Sequence, residues 1–286
     1  MGDHFADYAA AAAYARQVLV EHIGGSNEVI IEEKLEGVEF TVQAITDGKS
    51  LVRVPVTYDF PYRFDGDTGP GTGGMGSICG PGQIPNFLSA AEYEECLSAI
   101  ETVLKALSLK GLRFNGVLNT GFFATPKGLK IMEFNARFGD PECMNILMLL
   151  ETPFSSLLNG LLDGNLESTS VKFKPGACVV RYLVPREYCI APATPQKFGI
   201  DLETVKRIGA EVFFGSAIAK EAGYITIGAS RSLALATYAD TLREASELID
   251  SAIGEGVSGA LDFRKDIGSE AYMEKLVAKR SRRKSH

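Results

Sequence analysis

Histidine is scarce in this chain: three residues in 286, His4, His22 and His286. Two of them lie near the termini, so a histidine triad or histidine metal site has little to be built from. The five cysteines (Cys79, Cys96, Cys143, Cys178, Cys189) are odd in number, scattered, and never spaced Cys-x-x-Cys. That pattern suits reduced thiols in a cytoplasmic setting rather than a disulfide framework or a zinc site. No apolar run approaches the roughly 20 residues that span a bilayer, and Met1-Gly2-Asp3-His4 lacks the basic-then-apolar layout of a signal peptide. Positive charge is not in excess either: 29 Lys+Arg against 36 Asp+Glu leave a net −7, which speaks against a broad nucleic-acid surface. The one basic cluster, Lys279-Arg280-Ser281-Arg282-Arg283-Lys284, reads as a solvated, frayed tail. What is present is a globular composition, 45% hydrophobic and 23% charged, long enough for one large domain or two ordinary ones.

Local patterns divide the chain. Residues 7 to 23 read as a helix capped by Asp7, with Tyr8, Ala15, Leu19 and Ile23 at helical spacing and Gly24-Gly25 closing it. Val29-Ile30-Ile31 reads as the start of a strand, Glu39 to Ile45 as another, and Leu51 to Thr57 as a third after the Asp47-Gly48 turn. Residues 58 to 86 show no period and read as a long loop. Ser89 and Glu92 form a capping box for a helix that carries Tyr93, Cys96, Leu97 and Ile100 on one side. Val117 to Ala124 and Leu129 to Phe134 flank a hairpin turn at Pro126-Lys127-Gly128. Asp140 is expected to cap a helix running to about Leu149, with Pro141 in its first turn. A domain boundary is expected near residue 170. Beyond it come strands at Ala177 to Val184, Ala210 to Phe214, Tyr224 to Ala229 and Ser232 to Ala236, then a helix capped by Asp240. The spacing predicts domains at 1–170 and 171–275 and a disordered tail at 276–286.

Two segments carry chemistry. Residues 65 to 76, Asp-Gly-Asp-Thr-Gly-Pro-Gly-Thr-Gly-Gly-Met-Gly, hold six glycines in twelve. Such a stretch lets backbone amides crowd an anion, and equally serves as a flexible surface loop; it is neither a P-loop nor a dinucleotide fingerprint. Residues 131 to 142, Ile-Met-Glu-Phe-Asn-Ala-Arg-Phe-Gly-Asp-Pro-Glu, place Glu133 and Asn135 on one face of a strand. An oxygen pair so placed suits Mg2+, a hard cation that also takes phosphate oxygens. Arg137 offers a fork to a phosphate or acyl phosphate. Asp140 and Glu142 begin a helix, where they also complement its dipole.

Together these two strings resemble the phosphoribosylamine–glycine ligase (glycinamide ribonucleotide synthetase) family of the ATP-grasp superfamily. Ile30-Ile31-Glu32-Glu33-Lys34-Leu35-Glu36-Gly37-Val38-Glu39 is similar to the family's adenine hinge and ribose-binding turn, and Phe263-Arg264-Lys265-Asp266-Ile267-Gly268 to its C-terminal signature. The resemblance runs from about residue 7 to about 275. It implies an α+β fold: part of an ATP-grasp domain, with a mostly antiparallel sheet and helices, then a small mixed β domain. It implies ATP and Mg2+ (or Mn2+) as cofactors, and an ATP-dependent ligation of glycine to 5-phosphoribosylamine through a glycyl phosphate. Residue by residue, Glu32, Glu33 and Leu35 would face adenine and Glu39 the ribose. Glu133 and Asn135 would hold the metal, and Arg137 would steady the transferring phosphoryl group. Asp140 and Glu142 would shape the substrate pocket with Asp67, Thr68, Gly69, Thr72, Gly73 and Gly74, assisted by Asp59 and Arg63.

Three departures from the family pattern shape the expectations. Nothing corresponds to the family's amino-terminal domain and first lid strands, so the chain is expected to be weakly active or inactive by itself and to need a separate N-terminal-half polypeptide. Tyr58-Asp59-Phe60-Pro61-Tyr62-Arg63 stands where many members have Gln-Asp-His-Lys-Arg. Lys34 and Val38 replace an apolar residue and a carboxylate, and Lys34 reads as an exposed hinge lysine. Rival readings are another acyl-phosphate ligase and a non-catalytic binding or assembly module that retains the fold.

Overall fold

The computed structural model describes residues 7–25, 28–168, 170–192, 194–221 and 223–281. They fall into two units, divided between Glu36 and Gly37. In the first, Asp7 caps α1 (Tyr8–Glu21) by accepting from the Ala10 amide at 2.8 Å, and a 3-10 turn at Ile23–Gly25 follows the left-handed His22. The strand expected from Val29 does not form. Residues 28–36 have no regular structure, and Ile30 and Ile31 are each 86% exposed. A strand needs a partner for its ladder, and the described residues of this unit offer one helix and one turn.

The second unit contains β1 (Val38–Thr46), β2 (Leu51–Arg53), β3 (Tyr58–Asp59), β4 (Tyr62–Phe64), β5 (Thr68–Gly71) and β6 (Gly76–Cys79), then α2 (Ala90–Leu109). The hairpin β7 (Gly116–Thr125) and β8 (Gly128–Asn135) precedes α3 (Glu142–Leu149) and α4 (Phe154–Asp163). After β9 (Ala177–Pro185) come β10 (Lys197–Ile200), α5 (Leu202–Ile208), β11 (Ala210–Phe214), β12 (Ala217–Lys220), β13 (Gly223–Thr226) and β14 (Leu233–Ala239). The chain finishes with α6 (Leu242–Gly256), β15 (Val257–Gly259), β16 (Leu261–Asp262) and α7 (Glu270–Ser281).

The strands build a four-stranded sheet β2-β1-β7-β8, a larger sheet β11-β14-β9-β6-β3 with β16 on β9, a second four-stranded sheet β12-β13-β10-β15, and the ribbon β4–β5. Every pairing among the described residues is antiparallel, and helices flank the sheets, the α+β arrangement expected. Alternation on β1 sends Phe40, Val42 and Ala44 into the main core, where Phe40 stacks on its cross-strand partner Phe122 at 5.7 Å and Cys96, Leu97 and Ile100 of α2 close over them. The expected capping box on α2 is present. On the other face, Ile45 and Val117 meet Ile146, Leu157 and Leu166 in a second cluster.

Several boundaries differ from expectation for physical reasons. The division near residue 170 is absent: β6 pairs with β9 across it, and one core runs from Val38 to Leu276. Residues 58 to 86, which lack a hydrophobic period, contain four short strands, because β3 and β6 gain their order from neighbours in the larger sheet. The strand at Leu51 stops at Arg53, and the one near Tyr224 stops at Thr226. Asp140 does not cap α3; Pro141 occupies the cap position without a side-chain bond. The cap of α6 is Thr241, in a reciprocal box with Glu244, rather than Asp240. The expected tail from 276 is helical through Ser281, where Arg280 pairs with Glu92 and donates to the Thr125 carbonyl at 2.9 Å; residues 282–286 lie outside the described residues.

Candidate functional site

The site grows from the strand period of two. On β1, Glu39, Thr41 and Gln43 point away from the core face that holds Phe40 and Val42. The register sets Thr41 opposite Gly121 and Glu133, and Gln43 opposite Asn119 and Asn135. Successive rows across three strands therefore carry polar side chains on one face. A bulge in β8 beside Met132 shifts the pairing between Gly121 and Phe122, so Ile131 meets Phe122 while Glu133 keeps its place opposite Gly121. Asn135 donates from its amide nitrogen to Glu133 at 2.9 Å. The expected metal pair is thus together, leaving the amide oxygen of Asn135 and the second Glu133 oxygen for a cation.

Beyond β8 the chain turns through residues 136–141. The Gly139 amide donates to the Gln43 side-chain oxygen at 3.1 Å. A methyl group on Gly139 would lie 2.7 Å from a Glu142 carboxylate oxygen and 2.8 Å from both terminal atoms of Asn119. Gly139→Ala is accordingly expected to displace Glu142 and to cost about 1–3 kcal/mol as overpacking. A denaturant midpoint unchanged from the native protein would contradict this packing.

Glu142, 6% exposed, is bonded to Asn119 and Thr41. Burial raises its carboxyl and Asp140 adds to that, against the opposing hydrogen bonds. Burial likewise raises Glu39, helped by Glu133, and pushes Asp59 well up, helped by Glu142 and Glu39. Among the described residues none of these four carboxylates (Glu39, Asp59, Glu133, Glu142) has an Arg or Lys ion pair. The buried Gln43 side-chain nitrogen and Asn119 side-chain oxygen have no partner. Among the described residues no three acidic, histidine or cysteine side chains form a cluster that could hold a metal, so the oxygen donors offered to a hard divalent cation are those of the Glu133–Asn135 pair. Raised carboxyl values mean that the folded chain binds more protons than the unfolded one between the ordinary value, about 4, and the raised one. Metal-free stability is therefore expected to fall as pH rises through that window, and Mg2+ to offset the fall. Thermal unfolding with and without Mg2+ measures this, and a pH profile identical in Asp59→Asn/Glu142→Gln contradicts it.

The glycine segment is tied to the end of the chain by hydrogen bonds. Arg264, wholly buried, donates to the Tyr62 carbonyl at 3.0 Å, to Asp67 at 3.1 Å and to both Asp266 oxygens, and lies 5.0 Å from the Phe60 ring centre. Tyr272 also donates to Asp67. The amides of Gly66, Thr72, Gly73 and Gly74 go to Asp266, the Pro61 carbonyl, the Tyr188 hydroxyl and the Thr72 hydroxyl. Gly74, at φ +101°, approaches Pro141 so closely that a methyl there would sit 2.7 Å from its ring. Gly74 thus serves close packing while Gly66 faces open space, and the ribbon is exposed from Phe64 through Gly71. Asp67 and Thr72 spend their side chains on internal partners. Arg63, expected to assist, is buried, donating to the Tyr188 and Arg186 carbonyls and to Asp262 at 2.9 Å.

The ribbon and the turn meet at Asp140. Its carboxylate accepts from the Tyr182 hydroxyl at 2.6 Å and from Arg231 at 2.9 Å, which is why it is not free to cap α3. Arg137 is exposed and donates to the Phe138 carbonyl. Glu32, Glu33 and Leu35 belong to the first unit, where the two glutamates are exposed and Leu35 half-buried. Gln43, Asn119, Tyr182, Tyr188 and Arg231 were not anticipated. Alternation on β1 and β7 is a signal for the first two; the others carry none.

This architecture is the ATP-grasp fold. The structure is similar to the phosphoribosylamine–glycine ligase of Thermotoga maritima (TM-score 0.67, 28% identity, 82% of this chain and 56% of that one). It is also similar to the biotin carboxylase domain of Hydrogenobacter thermophilus 2-oxoglutarate carboxylase, solved with MgADP and bicarbonate (TM-score 0.63, 15% identity, 94% of this chain and 55% of that one), a likeness of fold alone. Residues 5–143 match the family model described as phosphoribosylglycinamide synthetase, ATP-grasp (A) domain. The phosphoribosylamine–glycine ligases of Methanobrevibacter smithii and Methanosarcina barkeri are 37% and 40% identical, each over 97% of this chain. The chain spans 63% and 62% of the length of these two relatives. Among the described residues no helix is long and apolar enough to cross a membrane.

Proposed function

We propose that the chain takes part, in the cytoplasm, in the ATP-dependent ligation of glycine to 5-phosphoribosylamine, giving glycinamide ribonucleotide, ADP and phosphate. The observation that carries this is the Glu133–Asn135 pair on β8, in register through Gly121 and Asn119 with Thr41 and Gln43 of β1, and followed by the Asp140 turn that Arg231 ties to the glycine ribbon. Glu133 and Asn135 hold Mg2+ or Mn2+, which when bound neutralises charge on the ATP phosphates. Glu39 takes the ribose hydroxyls. Arg137, exposed at the end of β8, meets the phosphoryl group passing to glycine's carboxylate. Glu142 and Asp140 bound the pocket in which the amine attacks, while Thr72, Gly73 and Gly74 set its wall and the tip at Asp67, Thr68 and Gly69 meets the phosphoribosyl end. Positioning and charge compensation supply the catalysis, and no histidine or cysteine is required. The relatives are longer than this chain.

The test is Mg2+-dependent ADP binding by calorimetry, followed by product mass analysis with ATP, glycine and phosphoribosylamine, with and without the N-terminal part of a relative. Glycinamide ribonucleotide appearing only with all three substrates is the expected result. No Mg2+-dependent nucleotide binding under either condition leaves a non-catalytic module, and a different acylated amine leaves another acyl-phosphate ligase.

A further inference from the structure

Arg231 sits in the turn between β13 and β14, far in sequence from both chemistry-bearing segments. One guanidinium nitrogen donates to the Gly73 carbonyl at 2.6 Å and to the Gly74 and Asp140 carbonyls at 3.1 Å each. The other donates to the Asp140 carboxylate at 2.9 Å. The group lies 4.3 Å from the Tyr182 ring centre, and Tyr182 donates to the second Asp140 oxygen. Three carbonyls and a carboxylate therefore converge on one cation. Without it these oxygens repel one another and the segments part. Tyr182 holds Asp140 and Tyr188 holds Gly73; Arg231 holds both at once.

We propose that Arg231 is a positioning residue for the phosphoribosyl half of the site. It acts through Asp140 and the Gly73 and Gly74 carbonyls, fixing the inner end of the ribbon against the turn that follows the metal pair. Its hydrogen bonds go to the protein, so it orders the groups that meet substrate rather than meeting substrate itself. The inference rests on the reading that the ribbon receives phosphoribosylamine. The planar fork matters: a lysine ammonium is a point charge that cannot span the carbonyls and the carboxylate while stacking on Tyr182.

The experiment is calorimetry on the full chain with ribose 5-phosphate, a stable compound carrying the ribose and phosphate of the amine substrate, and separately with MgADP. The proteins are wild type, Arg231→Met, Arg231→Lys and Tyr182→Phe. Arg231→Met is expected to weaken ribose 5-phosphate about tenfold or more, equivalent to roughly 1.4 kcal/mol, with MgADP affinity held within about twofold. Arg231→Lys recovers little of the loss, and Tyr182→Phe loses less. Unchanged ribose 5-phosphate affinity overturns the inference, as does an equal loss for both ligands, which is the mark of general destabilisation. Should Arg231→Met fail to fold, Arg231→Lys and Tyr182→Phe carry the same comparison. A wild-type chain that binds no ribose 5-phosphate removes the ribbon assignment and this inference with it. One that binds ribose 5-phosphate but not MgADP fails the nucleotide reading, while the Arg231 comparison still decides this one.

Discussion

Arg264→Leu is expected to cost about 3–5 kcal/mol of folding stability, the range for removing one partner of a buried ion pair. The guanidinium is wholly buried, and Asp266 and Asp67 hold it charged although burial alone works against that charge. Deleting it leaves Asp266, two carboxylate contacts poorer, beside Asp67 in a poorly solvated position, and removes the donor to the Tyr62 carbonyl. Against a typical total of about 5–15 kcal/mol, that is a large fraction. Urea unfolding followed by circular dichroism measures it, and a loss below about 1 kcal/mol, the level of an exposed pair, rules out the clamp as described. Hydrogen exchange should localise the damage, with Gly66 and Thr72 losing protection first.

The second large effect concerns Glu133→Ala. Its carboxylate is one of two side chains expected to touch the cation, and Asn135 orients toward it. Loss of a direct ligand should weaken Mg2+-dependent nucleotide binding by at least the roughly 100-fold that changes to outer-shell partners reach. Glu133 is solvent-exposed and, among the described residues, has no ion pair, so folding should be little changed. Calorimetry with ADP at fixed Mg2+ reads the effect. Retention of full affinity would move the cation elsewhere on the sheet. Asn135→Leu should behave in the same direction but more weakly, since a neutral amide oxygen contributes less than a carboxylate.

Much of the framework was legible in residue order. The capping box at Ser89, the hairpin around Lys127 and the alternation of β1 are local codes, and each element formed where its code lies. Glu133 and Asn135 could be paired from spacing alone because strand geometry fixes which side chains share a face. Other features depend on partners that no local pattern announces. Residues 76–79 are a central strand because β9 arrives a hundred residues later to pair with them. Val29 to Ile31 has a strand's composition and no ladder. Asp140 has a cap's position, yet Tyr182 and Arg231 claim its carboxylate. The glycines between 65 and 76 read as an anion cradle or a flexible loop, but the amides of Gly66, Gly73 and Gly74 are spent internally, and that accounting needs coordinates.

The ribbon and its anchor lie far apart along the chain: Tyr62 receives its bond from Arg264, 202 positions later. During synthesis the earlier strands emerge and can pair while that anchor has not yet been made. The β4–β5 arm is thus among the last parts to lock, a non-local closure of the kind that slows folding. A nascent or prematurely ended chain carries its sheet face with Glu133 and Asn135 before it carries a fixed ribbon beside it, so the order of assembly runs from that face to the β4–β5 arm.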